Sequence, residues 1–207
     1  ITNLNIKNDI KKIHTLGKIV TDSEIVFLDE NGIKNEINVQ GEILCKSKLA
    51  FSGYYKNQNL FNKSFINGYF YTGDIGYFDQ DGFLILTGRK KDIIITGGIN
   101  VYASDVEKAL NSYPKIKESA VIGLNDKRLG EVIFAVVIAK DKINLDIKEL
   151  KKFCLNNLAD YQQPFAFDIV NEFPRGALNK ISKYKLKEKY INLDLTKAMR
   201  KTLSIKN

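Results

Sequence analysis

The chain has 207 residues, of which 44% are hydrophobic and 27% charged, a composition typical of a folded globular protein. No apolar run reaches the length of a membrane-spanning helix and no signal-peptide pattern is present, so we expect a cytoplasmic protein without a transmembrane segment. The net charge of +8 excludes little, because it fits either a lysine-rich solvated surface or a preference for polyanions such as nucleic acids and nucleotide phosphates.

The first 90 residues show the pattern of short antiparallel strands. In "SEIVFLDENGIKNEINV" the pair Asn31-Gly32 stands between two apolar segments, and Asn67-Gly68 takes the same place in "FINGYFYTGD". Asn-Gly between alternating apolar residues is the strongest short-range signal of a hairpin turn. A third turn is expected at residues 79–82, within "GYFDQDGFLILTG". Strands at this spacing predict a small β-barrel-like or sandwich subdomain.

After residue 91 the pattern changes to that of a small α+β domain. Residues 93–95 form an apolar run that predicts a buried strand, which Gly97-Gly98 closes. Ser104 and Glu107 have the spacing of a capping box, which predicts a helix beginning at that point and ending at Pro114.

Two strands, "ESAVIGL" and "EVIFAVVIA", follow that helix and precede a second one. A short strand, "FAFDIV", and a lysine-rich helix from Ser182 complete the chain. Five apolar residues share one face of the second helix: Ile147, Leu150, Cys154, Leu155 and Leu158.

The residue content leaves few kinds of active site. His14 is the only histidine, so we expect no metal site and no serine or cysteine nucleophile with a histidine base. No Gly-rich phosphate loop of a known type follows a strand. Cys45 and Cys154 are far apart, and we expect both to be buried as small apolar residues in a reducing compartment.

Three polar residues next to strands are candidates for chemistry, and each also has an ordinary structural explanation. Asp74 in "YTGD" is suited to accept hydrogen bonds from the two hydroxyls of a ribose, or it caps a turn. Arg89 would donate to the same sugar or pair with a surface acid. Lys180, which follows "FPRGALN", is either a cation delivered to phosphate oxygens or one more lysine of a basic tail.

Several motifs in order resemble the adenylate-forming enzymes, a family that includes acyl-CoA ligases, luciferases and the adenylation domains of peptide synthetases. The resemblance is carried by four segments and extends from about residue 16 to about residue 190. These segments are "GYFYTGDIGYFDQDGFLILTGRKKDIIITGGINVYASDVEKAL", "VIGLNDKRLGEVIFAVVI", "LADYQQP" and "FPRGALNKI".

The resemblance implies a role for several residues of this chain. Asp74 would bind the ribose hydroxyls of ATP, supported by Arg89, and Lys180 would be the catalytic lysine that reaches the α-phosphate and the carboxylate. Lys91 would be the hinge, whereas Lys90 has no implied role and is interpreted as a surface charge. The turn at Gly97 and Gly98, with Asn100 nearby, would approach the pantetheine arm of CoA.

The family pattern also implies a domain organisation. Residues 1–90 would be the β-rich third subdomain of a large N-terminal domain whose remainder is absent from this sequence. Residues 91–207 would be the mobile C-terminal α+β domain, with the hinge near Lys91. The chain begins at Ile1 and has Met199 as its only methionine, so we expect it to be a fragment of a two-domain enzyme and inactive alone.

This chain departs from the family pattern at three positions. Asn179 stands where glycine usually precedes the catalytic lysine, and asparagine is the non-glycine residue that best tolerates a positive φ. Ala103 replaces a usual proline and Asp105 a usual glutamate, and neither belongs to the implied site.

The resulting hypothesis is an ATP-dependent acyl-CoA ligase that converts a carboxylic acid, expected to be a fatty acid, first to an acyl-adenylate and then to a thioester. ATP, Mg²⁺, CoA and the acid would be its substrates and cofactors, and the missing N-terminal part its partner. Two alternatives stay open at this point: an adenylation domain that loads a carrier protein, and a non-catalytic binding module. A nucleic-acid-binding module fits the charge, but no interleaved aromatic and basic motif supports it.

Overall fold

The computed structural model describes residues 1–7, 9–140 and 145–198, and its chain divides into two compact units between Lys91 and Asp92. Each unit contains its own sheets and its own clusters of buried hydrophobic residues. Among the described residues, no helix combines the length and apolar character needed to cross a membrane.

Unit 1, up to Lys91, is built almost entirely from strands. Its elements are β1 (Thr2–Asn3), β2 (Lys18–Ile19), β3 (Ser23–Asp29), β4 (Gly32–Lys34), β5 (Gly41–Ser47), α1 (Gln58–Ser64), β6 (Phe65–Ile66), β7 (Tyr69–Phe78) and β8 (Leu84–Arg89). Strands β1 and β2 form a separate pair, and the other six form one antiparallel sheet.

The sheet of unit 1 does not close, so the barrel-like prediction was wrong on this point. Its order is β4-β3-β5-β7-β6, and β8 also pairs with β7. A barrel needs its two edge strands to pair with each other. Within the described residues the edges are instead Gly32–Lys34 on one side and, on the other, Phe65–Ile66 and Leu84–Arg89, and each of these strands pairs only inward.

The hairpin turns expected from Asn-Gly pairs are present, one of them shifted by a residue. Ile66 pairs with Tyr69, so Asn67 and Gly68 form the turn, with φ of 52° and 81° as a type I′ turn requires. In the first hairpin Asp29 pairs with Gly32, which puts the turn one residue earlier than predicted. The Asp29 carboxylate accepts a hydrogen bond from the Asn31 amide at 2.7 Å and favours this position.

The described residues of unit 2 combine helices with a five-stranded sheet. Its described elements are β9 (Ile93–Thr96), β10 (Ile99–Tyr102), α2 (Ala103–Ser112), β11 (Ile116–Asp126), β12 (Gly130–Ala139), α3 (Ile147–Asn157), β13 (Ala166–Ile169) and α4 (Lys183–Tyr190). The order β10-β9-β12-β11 is antiparallel, and β13 pairs with β12 in parallel.

Strand β12 is the centre of unit 2 because both of its faces are buried. Ile133, Ala135 and Val137 face the core that contains the buried residues of α2 and α3. Val132, Phe134 and Val136 alternate with them and face a second core closed by α4. The continuous apolar run of "EVIFAVVIA" therefore reflects a strand covered on both sides.

Several predicted details of unit 2 need correction. Ile95 is 52% exposed, so only part of the run at residues 93–95 is buried, and Leu155 is 67% exposed on α3. Helix α2 begins at Ala103 with Tyr102 at the N-cap, so the predicted capping box is absent. Glu107 accepts a hydrogen bond from the Val121 amide of β11 instead, at 2.7 Å.

Both cysteines are buried and free, as the sequence predicts. Burial raises the pKa of the Cys154 thiol to about 11, and it also raises the pKa of the Cys45 thiol. A thiol held in its neutral form is a poor nucleophile, so these side chains act as small core residues.

Candidate functional site

The "YTGD" motif forms an irregular loop inside strand β7. Glu42 pairs with Ile75 and Leu44 pairs with Tyr71, so the three residues 72–74 of β7 lie opposite the single residue between them on β5. The Thr72 hydroxyl donates to the Ile43 carbonyl at 2.7 Å and accepts from the Asp74 amide at 3.0 Å. We call residues 72–74 the β7 bulge.

Asp74 and Arg89 are direct neighbours across strands β7 and β8. Arg89 Nε lies 2.9 Å from Asp74 Oδ1, yet its N–H is not directed at that oxygen, and Asp74 Oδ1 accepts no hydrogen bond from any described residue. The structure thus brings together the two residues that the sequence analysis assigned to ribose. Asp74 has a charged neighbour, and its side chain is 26% exposed although Oδ1 itself is buried, so the carboxylate is open in part to a ligand hydroxyl.

Glu42 and Lys90 were missed by the sequence analysis, and both belong to this region. The Glu42 side chain is only 6% exposed; its Oε2 lies 2.7 Å from Lys90 Nζ, and its Oε1 accepts from the Gly73 amide at 3.3 Å. Lys90 is a surface lysine, with its side chain 60% exposed, and the interpretation as a surface charge omitted only its pairing with a buried acid. The available signal was an acid in the apolar strand "GEILCKS", since a buried carboxylate requires a partner.

Lys91 is exposed in a 3-10 turn, Lys90–Asp92, that joins β8 to β9. The boundary between the two units follows it directly. Its role as a hinge stays a prediction, since one conformation does not display a rotation.

Gly97 and Gly98 form the two-residue turn between β9 and β10, with φ of 57° and 82°. A type I′ turn requires positive φ at both positions, which explains the glycine pair without any ligand. Asn100 is exposed on β10, two residues after the turn. The predicted approach of pantetheine to this turn therefore rests on the family resemblance.

Lys180 is exposed and follows a strained turn, Ala177–Asn179. Leu178 and Asn179 both have left-handed backbones, with φ of 59° and 61°, and Leu178 is 89% exposed. The positive φ expected at Asn179 is confirmed. A left-handed leucine is costly and persists only where the surroundings impose it.

Arg175 and the backbone fix the loop that carries Lys180. The guanidinium pairs with Glu118 at 2.6 Å and donates to the Asn179 carbonyl at 3.0 Å. The Gly176 amide donates to the Lys180 carbonyl at 2.8 Å. These contacts fix the main chain at Lys180 while its side chain stays exposed, which suits a cation that must be held at a defined place.

The described residues contain no group of three or more His, Cys, Asp or Glu side chains that would hold a metal ion.

Residues 105–180 match the family described as the AMP-binding enzyme C-terminal domain. The chain is 41% identical to the 2-succinylbenzoate–CoA ligase of Bacillus licheniformis, over 86% of this chain and 36% of that relative. It is 37% identical to the 2-succinylbenzoate–CoA ligase of Listeria monocytogenes, over 92% of this chain and 38% of that relative.

Solved structures give a consistent result. The o-succinylbenzoate CoA synthetase of Bacillus subtilis, in complex with its acyl-adenylate intermediate, matches with a TM-score of 0.80 and 33% identity, over 90% of this chain and 38% of that one. ATP-bound MatB from Rhodopseudomonas palustris matches with a TM-score of 0.81 and 30% identity, over 87% of this chain and 36% of that one. The chain thus spans little more than a third of the length of these relatives.

Proposed function

Because the chain belongs to the adenylate-forming enzymes and corresponds to their C-terminal part, we propose that it is a portion of an ATP-dependent CoA ligase. The acid we propose is 2-succinylbenzoate, after the names of the two curated relatives. The fatty acid expected from the sequence alone has no support among these relatives. The chain alone would be inactive, because the N-terminal part of the enzyme would supply the acid-binding pocket.

The observation that carries the proposal is the buried Asp74 Oδ1 beside Arg89, which accepts no hydrogen bond from any part of the chain that is described. A carboxylate in this position would accept hydrogen bonds from the ribose hydroxyls of ATP and of the acyl-adenylate. The Arg89 cation would lie beside this carboxylate without occupying Oδ1 in a directed hydrogen bond.

Lys180 would supply the positive charge for the first half-reaction. Attack of a carboxylate on the α-phosphate brings two anions together, so a cation placed at the reacting oxygens lowers the barrier. Unit 2 would then rotate at Lys91, withdrawing Lys180 and bringing the turn at Gly97 and Gly98 toward the pantetheine of CoA. ATP, the acid and CoA are the proposed substrates.

The experiment that tests the function uses the full-length protein, in which this chain is joined to its N-terminal part. With ATP and 2-succinylbenzoate we expect pyrophosphate release, and with CoA added we expect the CoA thioester, identified by mass spectrometry. Octanoate and palmitate serve as controls and should give little product. Activity with the fatty acids alone would contradict the proposed acid, and an adenylate that CoA cannot consume would favour the carrier-protein alternative.

Replacing Lys91 with proline is expected to impair thioester formation by about tenfold more than adenylate formation. Proline fixes φ near −65°, which suits a single conformation of the turn but opposes the backbone rotation that a hinge needs. The two half-reactions are measured separately in the full-length enzyme, with Lys91→Ala as the control that removes the side chain and keeps the backbone free. Equal losses in both half-reactions would contradict a hinge at Lys91.

A further inference from the structure

We propose that Glu42 and Lys90 are positioning residues for Asp74, because together they hold the β7 bulge in the shape that presents its carboxylate. The significance of this shape for ATP rests on the proposed function. The contacts themselves lie within unit 1 and can be tested independently of any activity.

The first step concerns the backbone of the bulge. Three residues of β7 face one residue of β5, so the regular ladder cannot satisfy every amide there. The Thr72 hydroxyl accepts from the Asp74 amide, and Glu42 Oε1 accepts from the Gly73 amide at 3.3 Å. An amide that is partly buried also needs a partner, so the Glu42 carboxylate replaces a missing strand contact.

The second step concerns the charge of Glu42. Its side chain is 6% exposed, and a buried carboxylate is costly unless it is paired and hydrogen-bonded. Lys90 Nζ, at 2.7 Å, is the cation that pairs with it. Removing the lysine would leave a buried, unpaired charge, which the chain would relieve by moving Glu42 toward water and away from the Gly73 amide.

The third step concerns which carboxylate each of the two adjacent cations contacts. Arg89 lies against Asp74 and Lys90 against Glu42, so each carboxylate has one positive neighbour. Because Lys90 pairs with Glu42, it does not form a second ion pair with Asp74. This arrangement leaves Asp74 Oδ1 without a directed hydrogen bond from the described residues, while the Asp74 side chain stays 26% exposed.

The same pair also fixes the residue directly before the proposed hinge. Lys90 is the first residue of the 3-10 turn, and its side chain is held by a buried acid of β5. A rotation of the following domain would therefore begin at Lys91, with the β7 bulge and Lys90 remaining together as one rigid part.

The test compares amide hydrogen exchange of Gly73, followed by NMR in the 207-residue chain, among matched variants. Lys90→Met should speed this exchange by about tenfold or more, because the hydrogen bond to Glu42 is lost. Lys90→Arg should preserve the slow exchange. Adding Glu42→Gln to Lys90→Met should return the Gly73 exchange rate to within about threefold of that in the unsubstituted chain. A neutral amide accepts from Gly73 without needing a cation. Lys63→Met, at an exposed lysine of α1, is the control.

Equal exchange of Gly73 in all variants, or a uniform rise across every β7 amide, would overturn the positioning role. The full-length enzyme then provides a second measurement: Lys90→Met should raise the KM for ATP about tenfold and change kcat for adenylate formation by less than about threefold. General destabilisation would lower kcat and leave KM unchanged. Faster Gly73 exchange with an unchanged KM would support the positioning of the β7 bulge by Glu42 and Lys90. It would overturn the assignment of Asp74 to ATP.

Discussion

Replacing Lys180 with alanine in the full-length enzyme is expected to slow acyl-adenylate formation by about 10²–10³-fold, the usual cost of removing one electrostatic partner of a transition state. Thioester formation from preformed adenylate should be largely unaffected, because the lysine is proposed to act only in the first half-reaction. The two steps are separated by measuring pyrophosphate release with ATP and, independently, CoA consumption with synthetic adenylate.

The surroundings of Lys180 explain why such a loss should be specific. Arg175, held by Glu118, binds the carbonyl of Asn179, and the Gly176 amide binds the carbonyl of Lys180 itself. Truncating the exposed side chain leaves these main-chain contacts in place, so the loop should keep its shape.

Lys185→Ala is the matched control, since Lys185 is an exposed lysine on α4 close in sequence to Lys180. It should change neither half-reaction by more than about twofold, as expected for a surface substitution. An equal loss of activity in both variants would show that general positive charge, rather than a placed cation, is responsible. Unchanged adenylate formation in Lys180→Ala would refute the catalytic assignment.

The second large effect concerns stability. Leu150→Ala is expected to lower the free energy of unfolding of unit 2 by about 2–5 kcal/mol, because it leaves a cavity in a core that cannot fully collapse. Leu150 is 0% exposed and lies among the buried residues of α2, α3 and the sheet. A urea titration followed through the NMR signals of β12 measures the unfolding of unit 2 specifically.

Leu155→Ala makes the same chemical change on the same helix, where the leucine is 67% exposed. Its effect should stay within about 0.5 kcal/mol, as for an ordinary surface position. The sequence pattern alone places both leucines on the apolar face of α3, so this pair separates the sequence prediction from the structure. Similar losses for the two variants would contradict the burial described here.

The sequence predicted well those features that depend on neighbouring residues. The turn at Asn67-Gly68 follows from the φ values that the two residue types tolerate, and the strands on either side of it follow from alternation. Strand β12 was predicted from its continuous apolar run, although its burial on both faces was not. The positive φ of Asn179 was expected from the family pattern, which has glycine there, together with the tolerance of asparagine for this conformation.

Features that depend on distant pairing were not accessible in this way. The β7 bulge exists because β5 pairs with β7 on both sides of residues 72–74, and no local signal in "YTGD" specifies that register. The contact of Glu42 with Lys90 joins residues far apart in the chain, so no local signal pairs the exposed Lys90 with a buried acid. Exposure of Ile95 and Leu155 likewise depends on which neighbouring elements cover them.

The two buried faces of β12 have a consequence for shortened versions of the chain. The hairpin of β11 and β12 can form early in folding, since a short connection joins its strands and closing a short loop costs little entropy. Until the helices dock, the hairpin exposes an apolar surface to water on each of its faces. A truncation before α4 would remove Leu186 and Tyr190 and uncover the face around Phe134. Such a shortened protein would be prone to aggregate during expression, even though every residue assigned to catalysis would still be present.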